Sequence, residues 1–197
     1  MSAKWRSEWC CYLRAAGLDS SGPNYAFIGV IVGEEVDLRS LYTAVKGGRR
    51  RIHMRRLGRG ARREVAARLL EEIAEAGGSL CALSIRTGVA DALAEARLRA
   101  PYAPSSMLRR RCLRLLALLI WEVLEDHGVG RVYCDRELVE AFALAGIRVG
   151  SASYAVELAD VIAWLDFRRW PLGRPSPVVR LDFSETLASR LLKEAGR

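Results

Sequence analysis

Three aspartates stand where a sheet protein would gather acids. Asp19 closes the run that begins at Cys10, Asp135 closes the run Arg131 to Cys134, and Asp160 lies within the apolar segment Tyr154 to Trp164. Converging carboxylates suit hard divalent cations such as Mg²⁺ or Mn²⁺, which prefer oxygen ligands. Two such ions stabilise the attacking water and the leaving oxygen when a phosphodiester is cut. Asp160 has Leu158, Ala159, Val161 and Ile162 around it, so burying its charge is costly unless a cation, an arginine or a helix cap pairs it. Glu157, three residues earlier, can share its helix face and joins the candidate catalytic acids. Singly, each aspartate also fits a plainer role: Asp19 capping a turn, Asp135 capping the next helix, Asp160 pairing with an arginine.

A second feature concerns a partner. Lys46 to Arg63 holds Lys46, eight arginines (Arg49, Arg50, Arg51, Arg55, Arg56, Arg59, Arg62 and Arg63) and no carboxylate, hence one plus eight, or +9. The whole chain carries +8, so the remainder sums to −1. A charge focused in this way speaks of partners rather than of fold. Its natural partner is a phosphate backbone, DNA or RNA, whose condensed counterions it would release. Arg49, Arg50, Arg51, Arg55, Arg56 and Arg59 are the candidate phosphate contacts. His53 is a candidate acid, base or phosphate contact, and equally a structural histidine. The plainer reading of the run is a solvated helix face or loop.

These residues need elements to position them. Cys10 to Asp19 reads as a strand ended by the turn formers Ser20-Ser-Gly-Pro23. Tyr25 to Val32 is a second strand, rich in β-branched residues, and Arg51 to Arg55 a short third one. Leu38 to Val45 fits one or two helical turns. Arg62 to Ala76 has helical periodicity, with Val65, Leu69, Leu70 and Ile73 on one face. Ser79 to Ile85 is a strand, Asp91 to Leu98 a short helix, and Ser105 to Asp126 a long, largely apolar one that should be buried. Then come strand Arg131 to Cys134, helix Glu137 to Ala143, short strand Ile147 to Gly150, helix Tyr154 to Phe167, a loop from Pro171 to Pro177, and a last helix from Ser184 to about Lys193. Antiparallel strands followed by alternating helices and strands predict an α/β fold: a mixed five-stranded sheet with right-handed crossovers and flanking helices. The 197 residues fit one domain, with a core over residues 10 to 167 and a C-terminal loop and helix after it.

Composition narrows the classes. No stretch is long and apolar enough to cross a membrane, and Met1-Ser-Ala-Lys-Trp-Arg6 lacks the apolar centre of a signal peptide. Both place the protein in the cytoplasm. Cys10, Cys11, Cys81, Cys112 and Cys134 form no CxxC pair and sit in apolar runs, as core cysteines do. No phosphate-binding GxxxxGK[ST] loop, GxGxxG turn or GxSxG elbow is present. Glutamine is absent, Asn24 is the single asparagine, and arginine far outnumbers lysine, a bias met in proteins from thermophiles. Trp5, Trp9, Trp164 and Trp170 are candidates for an interface between copies, since tryptophan is enriched at interfaces.

The motifs carry a resemblance. The element order, with a first aspartate in strand one and a last acid on a late helix, resembles the ribonuclease H-like fold. Leu18-Asp-Ser-Ser-Gly22 resembles the Asp-Glu-Ser-Gly opening of a ribonuclease H-like family known as domain of unknown function 3800. Ile52-His-Met54 resembles its histidine near the third strand, and Glu157-Leu-Ala-Asp-Val-Ile-Ala163 its Gln-Leu-Ala-Asp-Leu-Ile-Ala helix. The resemblance spans residues 10 to 167. It implies Asp19, Asp135 and Asp160 as metal ligands for Mg²⁺ or Mn²⁺. The chain departs from the pattern at Ser20, where a Glu is usual, at Glu157, where a Gln is, and at Arg86-Thr87, where ribonuclease H itself has an acid. Glu64 is a candidate for the helix-borne glutamate of ribonuclease H. The expected activity is metal-dependent cleavage of DNA or RNA; the alternative is an adaptor that binds nucleic acid through a degenerate site of the same fold.

Overall fold

The computed structural model describes residues 14–170 and 176–195. Its centre is one mixed five-stranded sheet in the order β4-β1-β2-β3-β5, where β1 is Arg14–Ser21, β2 Phe27–Gly33, β3 Cys81–Arg86, β4 Val129–Cys134 and β5 Val178–Asp182. β2 runs antiparallel to β1 and β3, while β4 is parallel to β1 and β5 to β3. Helices α1 (Glu35–Lys46), α2 (Arg59–Glu75), α3 (Val89–Arg99), α4 (Ser105–Asp126), α5 (Arg136–Leu144), α6 (Ser153–Phe167) and α7 (Ser184–Ala195) cover both faces. Leu38, Leu69, Leu158 and Ile162 build a core on the face of α1, α2 and α6. Leu113, Leu116, Phe142 and Leu187 build the other under α3, α4, α5 and α7.

The α/β class and the mixed sheet are as expected, with two changes in the strands. Arg51 to Arg55 is not a strand, although it has a strand's alternation: Ile52 and Met54 are buried while Arg51, His53 and Arg55 are exposed. The backbone N–H groups of Ile52 and Met54 donate to side chains of α6 instead of to a neighbouring strand. Ile147 to Gly150 also fails as a strand, and contributes a single bridge from Gly150 to Tyr133. The fifth strand is β5, which pairs with β3 on the opposite edge. The C-terminal part is therefore integral to the fold, with Leu187 and Leu191 of α7 fully buried. Cys10, Cys11, Trp5 and Trp9 lie outside the described residues. Cys112 and Cys134 are buried and free, their thiols pushed up to about 12 by burial, as core cysteines should be.

One packing contact sets the site. A Cβ on Gly17 would stand 2.2 Å from the Ala155 carbonyl oxygen, and one on Gly29 2.2 Å from that of Ala159. The missing side chains let α6 lie directly on β1 and β2, with Ala155, Ala159 and Ala163 as its contact stripe. This close approach delivers Asp160 to the end of β1 that carries Asp19.

Candidate metal and nucleic-acid site

The carboxyl ends of β1 and β4 lie side by side. Leu18 is paired with Cys134, and the next residue, Asp135, donates its N–H to the Leu18 carbonyl over 3.1 Å. Asp135 thereby sits beside Asp19, and the two carboxyls share a hydrogen bond. Asp19 faces Gly29 across the β1–β2 pair, on the face that α6 covers. Burial, the charge of Asp160 and the bond and charge of Asp135 together push the Asp19 carboxyl up to about 10. Burial also raises Asp135. Asp19 and Asp135 are thus neighbouring buried carboxyls, and the charge of Asp160 acts on Asp19.

Asp135 has a second task. Its Oδ1 accepts from the Leu138 N–H over 3.0 Å and caps α5, the plain role open to it from sequence. Its Oδ2 is 3.2 Å from the Ser20 hydroxyl, which is equally 3.2 Å from Oε2 of Glu137. A carboxylate from α5 thus reaches the Ser20 corner. Glu137 was missed by sequence reasoning; its place two residues after a strand-end aspartate is the signal that could have found it.

Asp160 is 8% exposed, inside a helix that is otherwise apolar. Its Oδ2 accepts the Met54 N–H over 2.8 Å and lies 3.2 Å from His53 Nδ1. These partners, rather than an arginine, compensate its burial. His53 keeps about half of its side chain exposed.

Glu157 does not join the aspartates. Its Oε2 accepts from the Tyr42 hydroxyl over 2.6 Å and from the Ile52 N–H over 2.8 Å, while Arg51 lies 4.0 Å from Oε1. It is a clamp on the arginine segment, not a member of the catalytic group expected of it. The reason lies in helical spacing: Glu157 and Asp160 do share a face, and that face meets two successive inward N–H groups of the segment, at Ile52 and Met54. Glu64 is likewise drawn elsewhere, to Arg49 at 2.5 Å and Arg68 at 3.4 Å.

The arginines divide. Arg49 is paired with Glu64 and donates to the Lys46 carbonyl. Arg62 donates to the Arg55 carbonyl and Arg51 approaches Glu157. Among the described residues, Arg50, Arg55, Arg56, Arg59 and Arg63 make no ion pair. All five are exposed, and they lie next to His53 along a segment fixed to α6. Trp164 is 8% exposed and packs on Trp170 at 5.5 Å between ring centroids, so it belongs to the core rather than to an interface between copies.

The donor chemistry at Asp19, Asp135 and Asp160 is all oxygen and suits a hard cation, which would also relieve their mutual repulsion. Among the described residues no set of three or more His, Cys, Asp or Glu side chains forms a ready-made metal centre. No helix among the described residues is long and apolar enough to cross a membrane. No protein-family model, curated protein or solved structure matches the chain.

Proposed function

We propose that the protein is a divalent-metal-dependent nuclease of ribonuclease H-like architecture, acting on DNA or RNA. The observation that carries this reading is the placing of Asp19 and Asp135 at adjacent strand ends under α6, whose Asp160 is bonded to the arginine segment. Asp19 in the first strand and Asp160 on a late helix match the pattern the resemblance implies.

Asp19, Asp135 and Asp160 would hold Mg²⁺ or Mn²⁺, with Glu137 at the rim. The bound cation would supply charge neutralisation at the phosphate and activation of water. Arg50, Arg55, Arg56 and Arg59 bind the phosphate backbone, and the anchoring of Ile52 and Met54 fixes their distance from the aspartates. His53, held by Asp160, faces solvent beside them and is placed to touch the phosphate or carry a proton.

The raised Asp19 carboxyl and the serine at position 20 favour a second reading, an adaptor that binds nucleic acid without cutting it. One experiment separates the two. Labelled single- and double-stranded DNA and RNA are incubated with Mn²⁺, with EDTA as control. Cleavage that disappears in Asp19→Ala/Asp160→Ala supports the nuclease. Salt-sensitive binding without any cleavage supports the adaptor.

A further inference from the structure

The carboxyl end of the sheet holds more than the acids. A cavity of about 890 Å³ opens at the ends of β3 and β5, and a second of about 390 Å³ lies between α3 and the start of α4. Asn24 and Ala90 line both, so the two cavities adjoin and are treated together as one groove. It begins close to the aspartates. Phe27, on its wall, is the register partner of Ser21, two residues and roughly 7 Å along the strand from Asp19.

The larger cavity is lined by three arginines and three aspartates, the smaller by two arginines and no acid. Arg86 and Arg180 on the wall of the larger are engaged by Asp182 at 3.6 Å and by Asp166 at 2.5 Å. That leaves Arg169 in the larger cavity and Arg97 and Arg109 in the smaller, none of which makes an ion pair among the described residues. Asp91 is the one acid of the walls left to oppose them. Aromatic surface accompanies the charge: Trp170, packed at a tilt on Trp164, and Phe27 both line the larger cavity and are partly exposed. Cations that follow a backbone, with aromatic faces between them, are what an unpaired strand requires; a duplex keeps its base faces stacked inside.

We propose that this groove is the track for a single-stranded stretch of nucleic acid continuing from the aspartates, with Arg97, Arg109 and Arg169 on its phosphates and Trp170 and Phe27 against its bases. The assignment rests on the reading of the acids as a phosphodiester site and adds a strand state to it. It also separates two arginine-bearing surfaces. The arginine segment lies over α6 beside α1 and α2, and the groove runs across the ends of β3 and β5 between the C-terminal end of α6 and α3.

The test is binding in EDTA, where no cutting is needed. Fluorescence anisotropy follows labelled 12-nucleotide single strands of DNA and RNA, and a 12-base-pair duplex, on the wild type and on Arg109→Ala/Arg169→Ala. Both arginines are exposed or near the surface, and thermal melts check that the variant is folded. The variant should lose about tenfold in affinity for the single strand, and its log–log salt slope should fall by about 1.4 for two lost contacts. Quenching of tryptophan fluorescence by the single strand should weaken in Trp170→Phe. Single-strand affinity unchanged in the arginine variant, or duplex affinity falling as far, overturns the proposal. Cleavage is scored separately with Mn²⁺. A wild type that cuts while groove variants bind and cut as well sinks the groove alone. A groove-dependent binder that never cuts sinks the nuclease and leaves the groove.

Discussion

The Met54 N–H donates to Oδ2 of Asp160 over 2.8 Å. Through that bond the arginine segment and the acid on α6 become one unit. Two residues earlier the Ile52 N–H donates to Glu157, and the side chains of Ile52 and Met54 are buried beneath. The segment is thus held at two backbone points and two apolar ones. Its arginines project outward from a fixed base.

The clamp should be measurable. Glu157→Ala leaves the Ile52 N–H and the Tyr42 hydroxyl without their acceptor, which costs about 2 kcal/mol. Amide exchange at Ile52 and Met54 should accelerate, and nucleic-acid affinity should fall severalfold although the number of arginines is unchanged. Tyr42→Phe removes one bond and should cost about 1 kcal/mol. Unchanged exchange at Ile52 in Glu157→Ala would show that the segment is held by its apolar anchors alone.

The stability of the metal-free protein should fall as pH rises from 5 to 9. Unfolded, Asp19 gives up its proton near 3.8; folded, it keeps it up to about 10. Between these values the native state binds a proton that the unfolded chain has released, so rising pH favours unfolding. Acids lowered by their partners, Glu35 by Tyr133 and Arg131 and Glu122 by Arg190, act in the opposite sense but only near and below their ordinary value of 4.5. Asp19→Asn should flatten the slope and stabilise the protein at pH 8 by on the order of 2 kcal/mol. Thermal melts in EDTA at several pH values check this; an Asn variant with the wild-type slope contradicts it.

Gly29→Ala should damage both fold and site. Its Cβ would meet the backbone of α6 at Ala159 and Ala163, where no flexible side chain can give way. Moving α6 costs about 1–3 kcal/mol and shifts Asp160 away from Asp19. The expected result is a lower melting temperature together with weaker Mn²⁺ binding; a variant with wild-type melting and metal binding would refute the close-packing account.

Exposed arginines should behave otherwise. Arg55→Ala/Arg56→Ala removes two cations that make no ion pair, so stability should change by less than about 0.5 kcal/mol. The salt dependence of nucleic-acid binding should become shallower by about one to two contacts. Unaltered binding would return the segment to the role of a solvated surface.

Much of this arrangement was legible in the chain because it rests on local pattern. Asp19 and Asp135 follow apolar runs that can only be strands, and their meeting follows from parallel pairing of β1 and β4. Asp160 stood out as an acid among apolar neighbours. What was hidden depends on tertiary choice. The alternation in Arg51 to Arg55 is that of a strand, yet its N–H groups found carboxylates on α6, and no local signal distinguishes those acceptors from a neighbouring ladder. Glu157 and Asp160 share a helix face but diverge because each meets a different N–H group. β5 escaped notice because its buried–exposed pattern is weak, with Val178 buried and Val179 and Arg180 exposed. Glu137 reaches Ser20 only because α5 starts at the site, capped by Asp135 itself.

The proposed function requires Asp19, Asp135 and Asp160 to act as one cation-binding group. Calorimetric titration of the metal-free protein with Mn²⁺ at pH 7.5, beside Asp19→Asn and Asp160→Asn, tests it most directly. The wild type should bind saturably with release of protons, and each variant should lose at least tenfold in affinity. Wild-type affinity in both variants, or no saturable binding by any of the three proteins, would contradict it.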